Sequence, residues 1–283
     1  MMETISEHVC CGGVQGFYSH QSTIIGLPMR FSVYLPPQAT RRPVPVLFFL
    51  AGLTATEETF MIKAGAQRLA AEYGLMLVSP DTSPRNTGIE GADKDWDFGH
   101  GAGFYLDATS APWNKHFQME SWVTQELREL ILNRFPARAD STGIFGHSMG
   151  GHGALTLALR HPDIYRSVSA FAPISAPMQC AWGEKAFSNY LGPDRNLWKE
   201  HDASELMRLR RNPFPNGILV DQGLSDKFLE QQQLKPALFE AACAEVGQPL
   251  TLRRHAGYDH GYYFISTFMA DHIAFHHANI GAD

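Results

Sequence analysis

Hydrophobic residues along this chain form short clusters, and segments of helical spacing separate them. Residues 29–35 alternate polar and apolar side chains, as a half-exposed strand does, and the alternation stops at Pro36. Short strands are also predicted at 46–50, 75–78, 142–145, 167–171, 218–220 and 250–254. Helical spacing predicts helices at 63–73, 119–135, 150–160, 228–246 and 261–278. Strands separated by helices form βαβ units, so the pattern predicts an α/β fold with a mainly parallel sheet.

Two long stretches, 82–118 and 174–215, do not follow this alternation. The first is rich in Gly, Asp and aromatic residues, and its segment 99–105 is too apolar for a solvated loop. Loops of this length in a compact domain are usually lids or binding loops, although a plain surface excursion is an equal alternative for 174–215. No linker or repeat divides the chain, so we expect residues 1–283 to form one domain.

Composition and charge narrow the class of protein. Of the 283 residues, 44% are hydrophobic and 18% charged, which provides enough apolar surface for a sizeable core. Disordered, collagen-like and coiled-coil proteins are therefore excluded. The 23 Lys and Arg residues against 29 Asp and Glu residues give a formal net charge of −6. A nucleic-acid binder would carry a basic surplus on one face, so we expect no nucleic-acid partner.

Targeting signals and cysteines point to the compartment. The first residues lack the basic and apolar regions of a secretory signal, and no apolar run is long enough to cross a bilayer. Four cysteines, at positions 10, 11, 180 and 243, do not make a disulfide scaffold in a chain of this length. We therefore expect reduced thiols, no membrane partner and a soluble, cytoplasmic protein.

The strongest chemical signal is a Gly-x-Ser-x-Gly motif at 146–150, between a predicted buried strand and a predicted helix. In that context the glycines allow a sharp, strained turn that lifts the serine hydroxyl above the sheet edge. The helix N-terminus there also favours developing negative charge. Ser148 is therefore the candidate nucleophile.

A serine nucleophile needs a base and an orienting carboxylate, expected in loops after later strands. Asp226 lies in the loop beyond the strand at 218–220, whereas Asp221 lies at the strand end with less freedom to reach an imidazole. We therefore prefer Asp226, which also fits an N-cap of the next helix. His260 lies between the last strand and the last helix and is the candidate base, and His255 is interpreted as a packing or surface residue.

An oxyanion hole needs two backbone N–H donors, one after the nucleophile and one from an early strand-to-helix loop. Met149 and Leu53 occupy these positions. Trp182 and the segment containing Gly101 and Phe104 are candidates for the walls of a substrate pocket.

The last helix carries His272 and His276 at a spacing that can hold a metal. No third ligand or His-Glu-x-x-His pattern accompanies them. We therefore interpret the pair as a polar helix face and expect neither a metal nor a cofactor.

Several motifs in one order resemble a known family over nearly the whole chain. They include Leu-Ala-Gly-Leu-Thr at 50–54, Ser-Pro-Asp-Thr-Ser-Pro-Arg at 79–85, Gly-Ala-Gly-Phe-Tyr at 101–105, Gly-His-Ser-Met-Gly-Gly at 146–151, Val-Asp-Gln-Gly-Leu-Ser-Asp at 220–226 and Gly-Tyr-Asp-His at 257–260. The chain thus resembles the S-formylglutathione hydrolases, also called esterase D. Two positions depart from the family pattern: Ala55 replaces a common Cys, which argues against thiol-based control near the site, and His100 replaces a common Gln.

The resemblance implies an α/β-hydrolase fold with helices on both faces of the sheet, and Ser148, Asp226 and His260 as the triad. It implies a cytosolic enzyme, often a homodimer, that hydrolyses the glutathione thioester S-formylglutathione to glutathione and formate in formaldehyde detoxification. The alternatives are a general short-chain carboxylesterase, an acyltransferase with the same triad, and a non-catalytic binding protein. The retained triad candidates argue against the last of these.

Overall fold

The computed structural model describes residues 2–281, and a nine-stranded sheet lies at its centre. The strands are β1 (Met2–Cys10), β2 (Gly13–Gln21), β3 (Pro28–Leu35), β4 (Val44–Leu50), β5 (Met76–Pro80), β6 (Ala137–His147), β7 (Ser167–Phe171), β8 (Ile218–Gly223) and β9 (Leu250–His255). Their spatial order is β1-β2-β3-β5-β4-β6-β7-β8-β9. Strands β4 to β9 pair in parallel, and the first three pair antiparallel. The predicted mainly parallel sheet is confirmed.

The first two strands form a hairpin that the sequence pattern did not predict. In β1 most side chains are exposed, so the strand lacks the regular alternation that marks a half-buried strand. It pairs with β2 at the edge of the sheet, and β2 pairs in turn with β3. An exposed edge strand is held by backbone hydrogen bonds to its neighbour rather than by burial of side chains. The spacing of hydrophobic residues therefore does not predict it.

The helices are α1 (Glu57–Lys63), α2 (Ala66–Tyr73), α3 (Met119–Ser121), α4 (Arg128–Arg134), α5 (Met149–Arg160), α6 (Ala181–Tyr190), α7 (Arg195–Trp198), α8 (Ala203–Arg208), α9 (Lys227–Glu230), α10 (Pro236–Val246) and α11 (Tyr262–Ile280). A π-helical segment, Trp122–Leu127, joins α3 to α4. No helix within residues 2–281 has the length and apolar character that a bilayer crossing requires.

Left-handed residues limit two of the predicted helices. Gly65 adopts a left-handed conformation with φ of 67° and separates α1 from α2, so the predicted helix at 63–73 starts too late and misses α1. Lys235, also left-handed with φ of 53°, precedes Pro236 and separates α9 from α10. Helical spacing records which face is buried but not where a left-handed residue interrupts the backbone.

Helices cover both faces of the sheet, as the glycines of β6 show. A Cβ on Gly143 would lie 2.9 Å from His276 of α11, whereas a Cβ on Gly146 would lie 2.1 Å from Gly150 O of α5. Residues 143 and 146 point to opposite faces because side chains alternate along a strand. Helix α2 packs with α11 on one face, and α5, α8 and α10 pack together on the other.

The two long stretches differ in character. Residues 82–118 contain little regular structure, only a short 3₁₀ helix at Trp113–Lys115, but Phe104 and Tyr105 are fully buried, as the apolar sequence predicts. Residues 174–215 contain α6, α7 and α8. These helices have four to ten residues, too short for the periodicity to be evident in the sequence.

The candidate active-site residues share one edge of the sheet because parallel strands end there together. Gly52 to Ala55 follow β4, Ser148 follows β6, Asp226 follows β8 and His260 follows β9. Topology thus assembles residues separated by more than 200 positions in the chain.

Candidate active site

Ser148 lies at a sharp turn between β6 and α5. Its backbone has φ of 59° and ψ of −120°, a combination that L residues rarely adopt and that stores strain. Three backbone hydrogen bonds hold it: Ser148 N donates to Phe171 O at 3.0 Å, and Ser148 O accepts from His152 N at 2.9 Å and Ile174 N at 3.2 Å. The turn is therefore fixed by β7 and the loop after it.

The glycines around Ser148 are required because other backbone segments lie too close to leave room for a Cβ atom. A Cβ on Gly150 would lie 1.9 Å from Leu50 O, and one on Gly146 would lie 2.1 Å from Gly150 O. A Cβ on Gly52 would lie 3.1 Å from the Ser148 Cβ. The motif therefore permits α5 to start directly against β4, which places Ser148 beside the loop that follows β4.

His260 and Asp226 form a direct pair. The His260 Nδ1 lies 2.5 Å from Asp226 Oδ2, so the imidazole donates this hydrogen bond and leaves Nε2 free to act as a base. The other carboxylate oxygen accepts from Phe228 N at 2.8 Å and caps α9. Gln222 Nε2 donates to Asp226 Oδ2 at 3.2 Å. The capping role and the pairing with His260 thus coexist, one on each oxygen.

Two hydrogen bonds join the loops that carry this pair. Leu224 N donates to His255 O at 2.9 Å, and Ser225 N donates to Tyr258 O at 2.9 Å. A Cβ on Gly223 would lie 2.4 Å from Tyr258 O, so only glycine allows the two loops to approach this closely. The loop after β8 is thereby held against the loop after β9.

Asp221, the other acid considered, has different partners. Its carboxylate is fully buried and pairs with Arg253 through Nε at 2.6 Å and Nη2 at 2.5 Å. It also accepts from His255 and His272, each at 3.1 Å. Although burial alone raises its pKa, the hydrogen bonds from His272 and Arg253 outweigh burial and hold the pKa well below the usual value. His255 is a packing residue, stacked on Phe268 at 3.8 Å.

Ser148 and His260 line the same cavity, whose volume is about 390 Å³. Its other lining residues are Gly52, Leu53, Thr54, Ala55, Thr59, Lys63, Trp96, His147, Trp182, Phe228 and Tyr262. Ala55 is thus a wall residue at the position where the family often has Cys. The four cysteines carry free thiols, with Cys180 and Cys243 buried and Cys11 exposed.

The two predicted oxyanion donors flank Ser148. Met149 begins α5, and Leu53 follows Gly52 in the loop after β4. Within residues 2–281, neither N–H donates to a protein acceptor. Both groups therefore have no protein partner within the described residues, and the N-terminus of α5 beside Ser148 favours negative charge.

The segment around Gly101 holds the loop that contains Leu53. Gly101 O accepts from Thr54 N at 2.9 Å, and the Tyr105 hydroxyl donates to Ala51 O at 2.9 Å. On the other side, Arg85 Nη2 donates to Ala55 O at 3.1 Å while it pairs with Asp81. Three contacts thus fix the backbone from position 51 to position 55.

Of the three predicted wall residues, Trp182 alone lines the cavity. Phe104 is fully buried against His152 and Phe187, behind the wall. Gly101 lies behind the loop after β4 and supports it. His100, the other departure from the family pattern, lies beside Gly101, with its Nε2 3.2 Å from Thr87 Oγ1.

Sequence reasoning missed several residues of the cavity. Trp96 and Phe228 each form an edge contact with Trp182, at 5.5 Å and 4.8 Å between ring centroids. Phe228 in turn contacts the His260 ring at 4.8 Å. An aromatic wall thus runs from the rim to the candidate base. Trp96 was the one with a signal in the sequence, because it stands between Asp95 and Asp97 in a polar segment. In the structure its side chain is 54% exposed, as a contact surface requires.

His147 is the second imidazole in the site, with its ring 4.4 Å from that of His260. Burial, and secondarily the charge of His260, lower its pKa well below the usual value. It is therefore neutral at pH 7 and a poor proton acceptor, so His260 is the base candidate of the two.

The last helix corrects one interpretation. His272 and His276 do not form an exposed polar face, because both are fully buried. Ser169 Oγ lies 2.7 Å from His272 Nδ1 and 2.8 Å from His276 Nε2. These partners come from serines on β7, against which the helix packs. The spacing of residues within the helix does not reveal such a neighbour. Among residues 2–281 no group of three His, Cys, Asp or Glu side chains is arranged to hold a metal.

Comparisons with known proteins show the family and the fold. The Esterase family model matches residues 22–275. The S-formylglutathione hydrolase of Paracoccus denitrificans is 53% identical over 99% of this chain and 98% of its own length, and that of Rattus norvegicus is 51% identical over 98% of each. The solved structure of the S-formylglutathione hydrolase from Agrobacterium tumefaciens matches with a TM-score of 0.95 and 48% identity, over 98% of this chain and 99% of its own. The chain therefore has the expected α/β-hydrolase fold and belongs to the S-formylglutathione hydrolase family of esterases.

Proposed function

We propose that this protein hydrolyses S-formylglutathione to glutathione and formate, with Ser148 as nucleophile, His260 as base and Asp226 as the orienting carboxylate. The observation that carries the proposal is the shared cavity of Ser148 and His260, with Asp226 bonded to His260 on its far side. Membership of the family supports the thioester as substrate. A role in formaldehyde detoxification follows from that substrate.

In the first half of the reaction, His260 Nε2 takes the proton of the Ser148 hydroxyl as Oγ attacks the thioester carbonyl. The oxyanion accepts hydrogen bonds from the N–H groups of Leu53 and Met149, each worth roughly 2.7–4 kcal/mol in comparable sites. The C–S bond then breaks, and glutathione leaves as a thiol after His260 returns the proton, or as a thiolate while His260 releases that proton to solvent. Formyl-serine remains.

In the second half, a water molecule attacks the formyl carbonyl while His260 takes its proton. The tetrahedral intermediate collapses, the bond to Ser148 Oγ breaks, and His260 protonates that oxygen as formate leaves. Asp226 holds the imidazole in the tautomer that both halves need and stabilises the imidazolium that forms in each.

A direct assay tests the reaction. We expect the wild-type protein to hydrolyse S-formylglutathione with a higher kcat/KM than p-nitrophenyl acetate, and Ser148→Ala to lose activity on the order of 10⁶-fold, as other triads do. A clear preference for the acetate would instead indicate a general short-chain carboxylesterase. Product analysis with an added alcohol or sugar would reveal acyl transfer.

The choice of acid is tested by a matched pair of variants. Asp226→Asn should lower kcat by roughly 10⁴-fold, because the amide no longer selects the productive imidazole tautomer. Asp221→Asn should lower kcat far less, since Asp221 is occupied by Arg253. Thermal unfolding of each purified variant shows whether it is folded, so that lost stability is not read as lost catalysis. A larger loss of kcat in a folded Asp221→Asn protein would overturn the assignment.

We place the protein in the cytoplasm, where the glutathione thioester forms, and the four free thiols suit a reducing compartment. A homodimer is part of the same proposal, and sedimentation or light scattering measures it.

A further inference from the structure

The cavity over Ser148 has one permanent charge in its wall. Among its lining residues in the described part of the chain, Lys63 is the sole Lys, Arg, Asp or Glu. A glutathione thioester carries two carboxylates and one ammonium group and is therefore an anion near neutral pH. The protein itself has a formal net charge of −6, so its overall field repels such a substrate.

Lys63 is held at the mouth of the cavity by its place in the fold. It is the last residue of α1, the helix that directly follows the loop containing Leu53. Its Nζ lies 5.8 Å from the centroid of the Tyr262 ring, and Tyr262 also lines the cavity, two residues after His260. A cation at this distance from an aromatic face is attracted to it. The ammonium is thus positioned between the oxyanion loop and the start of α11.

The charge of Lys63 is available to a ligand. No carboxylate within residues 2–281 lies within 4.0 Å of its Nζ. Lys185 of α6, the helix that carries the wall residue Trp182, provides the contrast: it pairs with Asp95 at 2.8 Å and Asp97 at 2.6 Å, and thereby ties the loop of Trp96 to α6. The charge of Lys185 is therefore compensated, and that of Lys63 is not.

We propose that Lys63 binds a carboxylate of the glutathione part of the substrate and so selects anionic peptide thioesters over neutral esters. This inference rests on the proposed function and deepens it. The interaction lies on the leaving group, away from the reacting carbonyl, so it contributes to binding of the substrate and the transition state alike. It therefore acts on KM more than on kcat.

The test compares substrates within each variant. Lys63→Met keeps the aliphatic stem and removes the charge, and Lys115→Ala is the matched control, because Lys115 is an exposed lysine outside the cavity. The measured quantity is the ratio of kcat/KM for S-formylglutathione to that for the neutral thioester S-formyl-N-acetylcysteamine. We expect this ratio to fall about tenfold in Lys63→Met, mainly through KM, further in Lys63→Glu, and little in Lys63→Arg or Lys115→Ala.

Ionic strength provides a second readout. Raising NaCl should lower the ratio in the wild type and have a much smaller effect in Lys63→Met, because salt screens an exposed charge pair. An unchanged ratio in Lys63→Met, or an equal loss on both substrates, would overturn the inference, since the second result means that Lys63 merely supports α1. If the wild type hydrolyses the neutral thioester but not S-formylglutathione, the proposed function itself fails. The two failures are therefore distinguishable.

Discussion

At the scale of single residues, Gln222 shows how the candidate acid is held. Its side chain is fully buried, and its Nε2 donates to Asp226 Oδ2 at 3.2 Å and to Gly223 O at 3.0 Å. It therefore links the end of β8 to the carboxylate that pairs with His260. Gln222 does not line the cavity and acts through Asp226, so we describe it as a positioning residue.

Gln222→Met should lower kcat by roughly tenfold to a hundredfold, because a hydrogen bond to a charged group contributes about 1.5–3 kcal/mol. The same variant should change the pH profile of kcat, since the carboxylate beside His260 loses a donor. Activity on S-formylglutathione from pH 5 to 9 measures both effects. A lower melting temperature with kcat and its pH profile unchanged would show that the residue has only a structural role.

At the scale of elements, the loop after β4 is as important as the helices. Its backbone is fixed by Tyr105, Gly101 and Arg85, which lie in the long irregular stretch at 82–118. Phe104 and Tyr105 each have φ of 50°, an unfavourable conformation for non-glycine residues. The fully buried aromatic side chains offset this strain. The stretch therefore supports the loop that carries Leu53, and its Trp96 also lines the cavity.

Tyr105→Phe should destabilise the protein by about 1–3 kcal/mol and lower kcat, because Ala51 O loses its side-chain donor and the loop that carries Leu53 gains freedom. Tyr165→Phe is the matched control. The Tyr165 hydroxyl is also buried, but within residues 2–281 no protein group hydrogen-bonds to it. Denaturant unfolding and kcat should change in the first variant and not in the second. Equal effects in both would contradict the role given to Tyr105.

At the scale of the whole molecule, buried neutral histidines couple stability to pH. His147, His152, His272 and His276 are all buried, and burial is the largest cause that lowers the pKa of each. The pKa of His152 falls to about 3. In the unfolded chain these imidazoles bind protons near pH 6.5, so below that pH the unfolded state binds more protons than the folded state. The stability that the protein gains by keeping these histidines neutral is therefore fully present above about pH 6.5, and it is lost as the pH falls below that value.

The free energy of unfolding should therefore decrease from pH 7.5 to pH 5.5. Each such histidine contributes about 1.4 kcal/mol per pH unit below its unfolded pKa. Glu57, whose pKa burial raises to about 7, and Asp202, whose pKa burial raises to about 6, oppose this trend in part. Guanidinium unfolding at several pH values measures the slope.

His152→Gln should reduce that slope by the equivalent of about one bound proton, because a glutamine amide does not titrate. The amide can still donate a hydrogen bond to Phe104 O, which lies 3.0 Å from His152 Nε2 in the wild type. Stability that is flat or rising toward pH 5.5 would contradict the assignment of these histidines as neutral in the folded state.

The sequence by itself determined the α/β class and the parallel strands, and it supplied the three residues that we propose as the triad. It could do so because buried strands and helices leave periodic patterns, and because the glycines that the turn at Ser148 requires lie within one short motif. The same local logic predicted that Asp226 lies in a loop and Asp221 at a strand end.

Only the tertiary structure decided what depends on neighbours from distant parts of the chain. The burial of His272 and His276 against Ser169 and the support of the Leu53 loop by Tyr105 each join segments that no local pattern relates. The same is true of Lys63: in sequence it is an ordinary lysine at a helix end. The approach of its Nζ to the Tyr262 ring, at the start of α11, places its charge at the mouth of the cavity over Ser148.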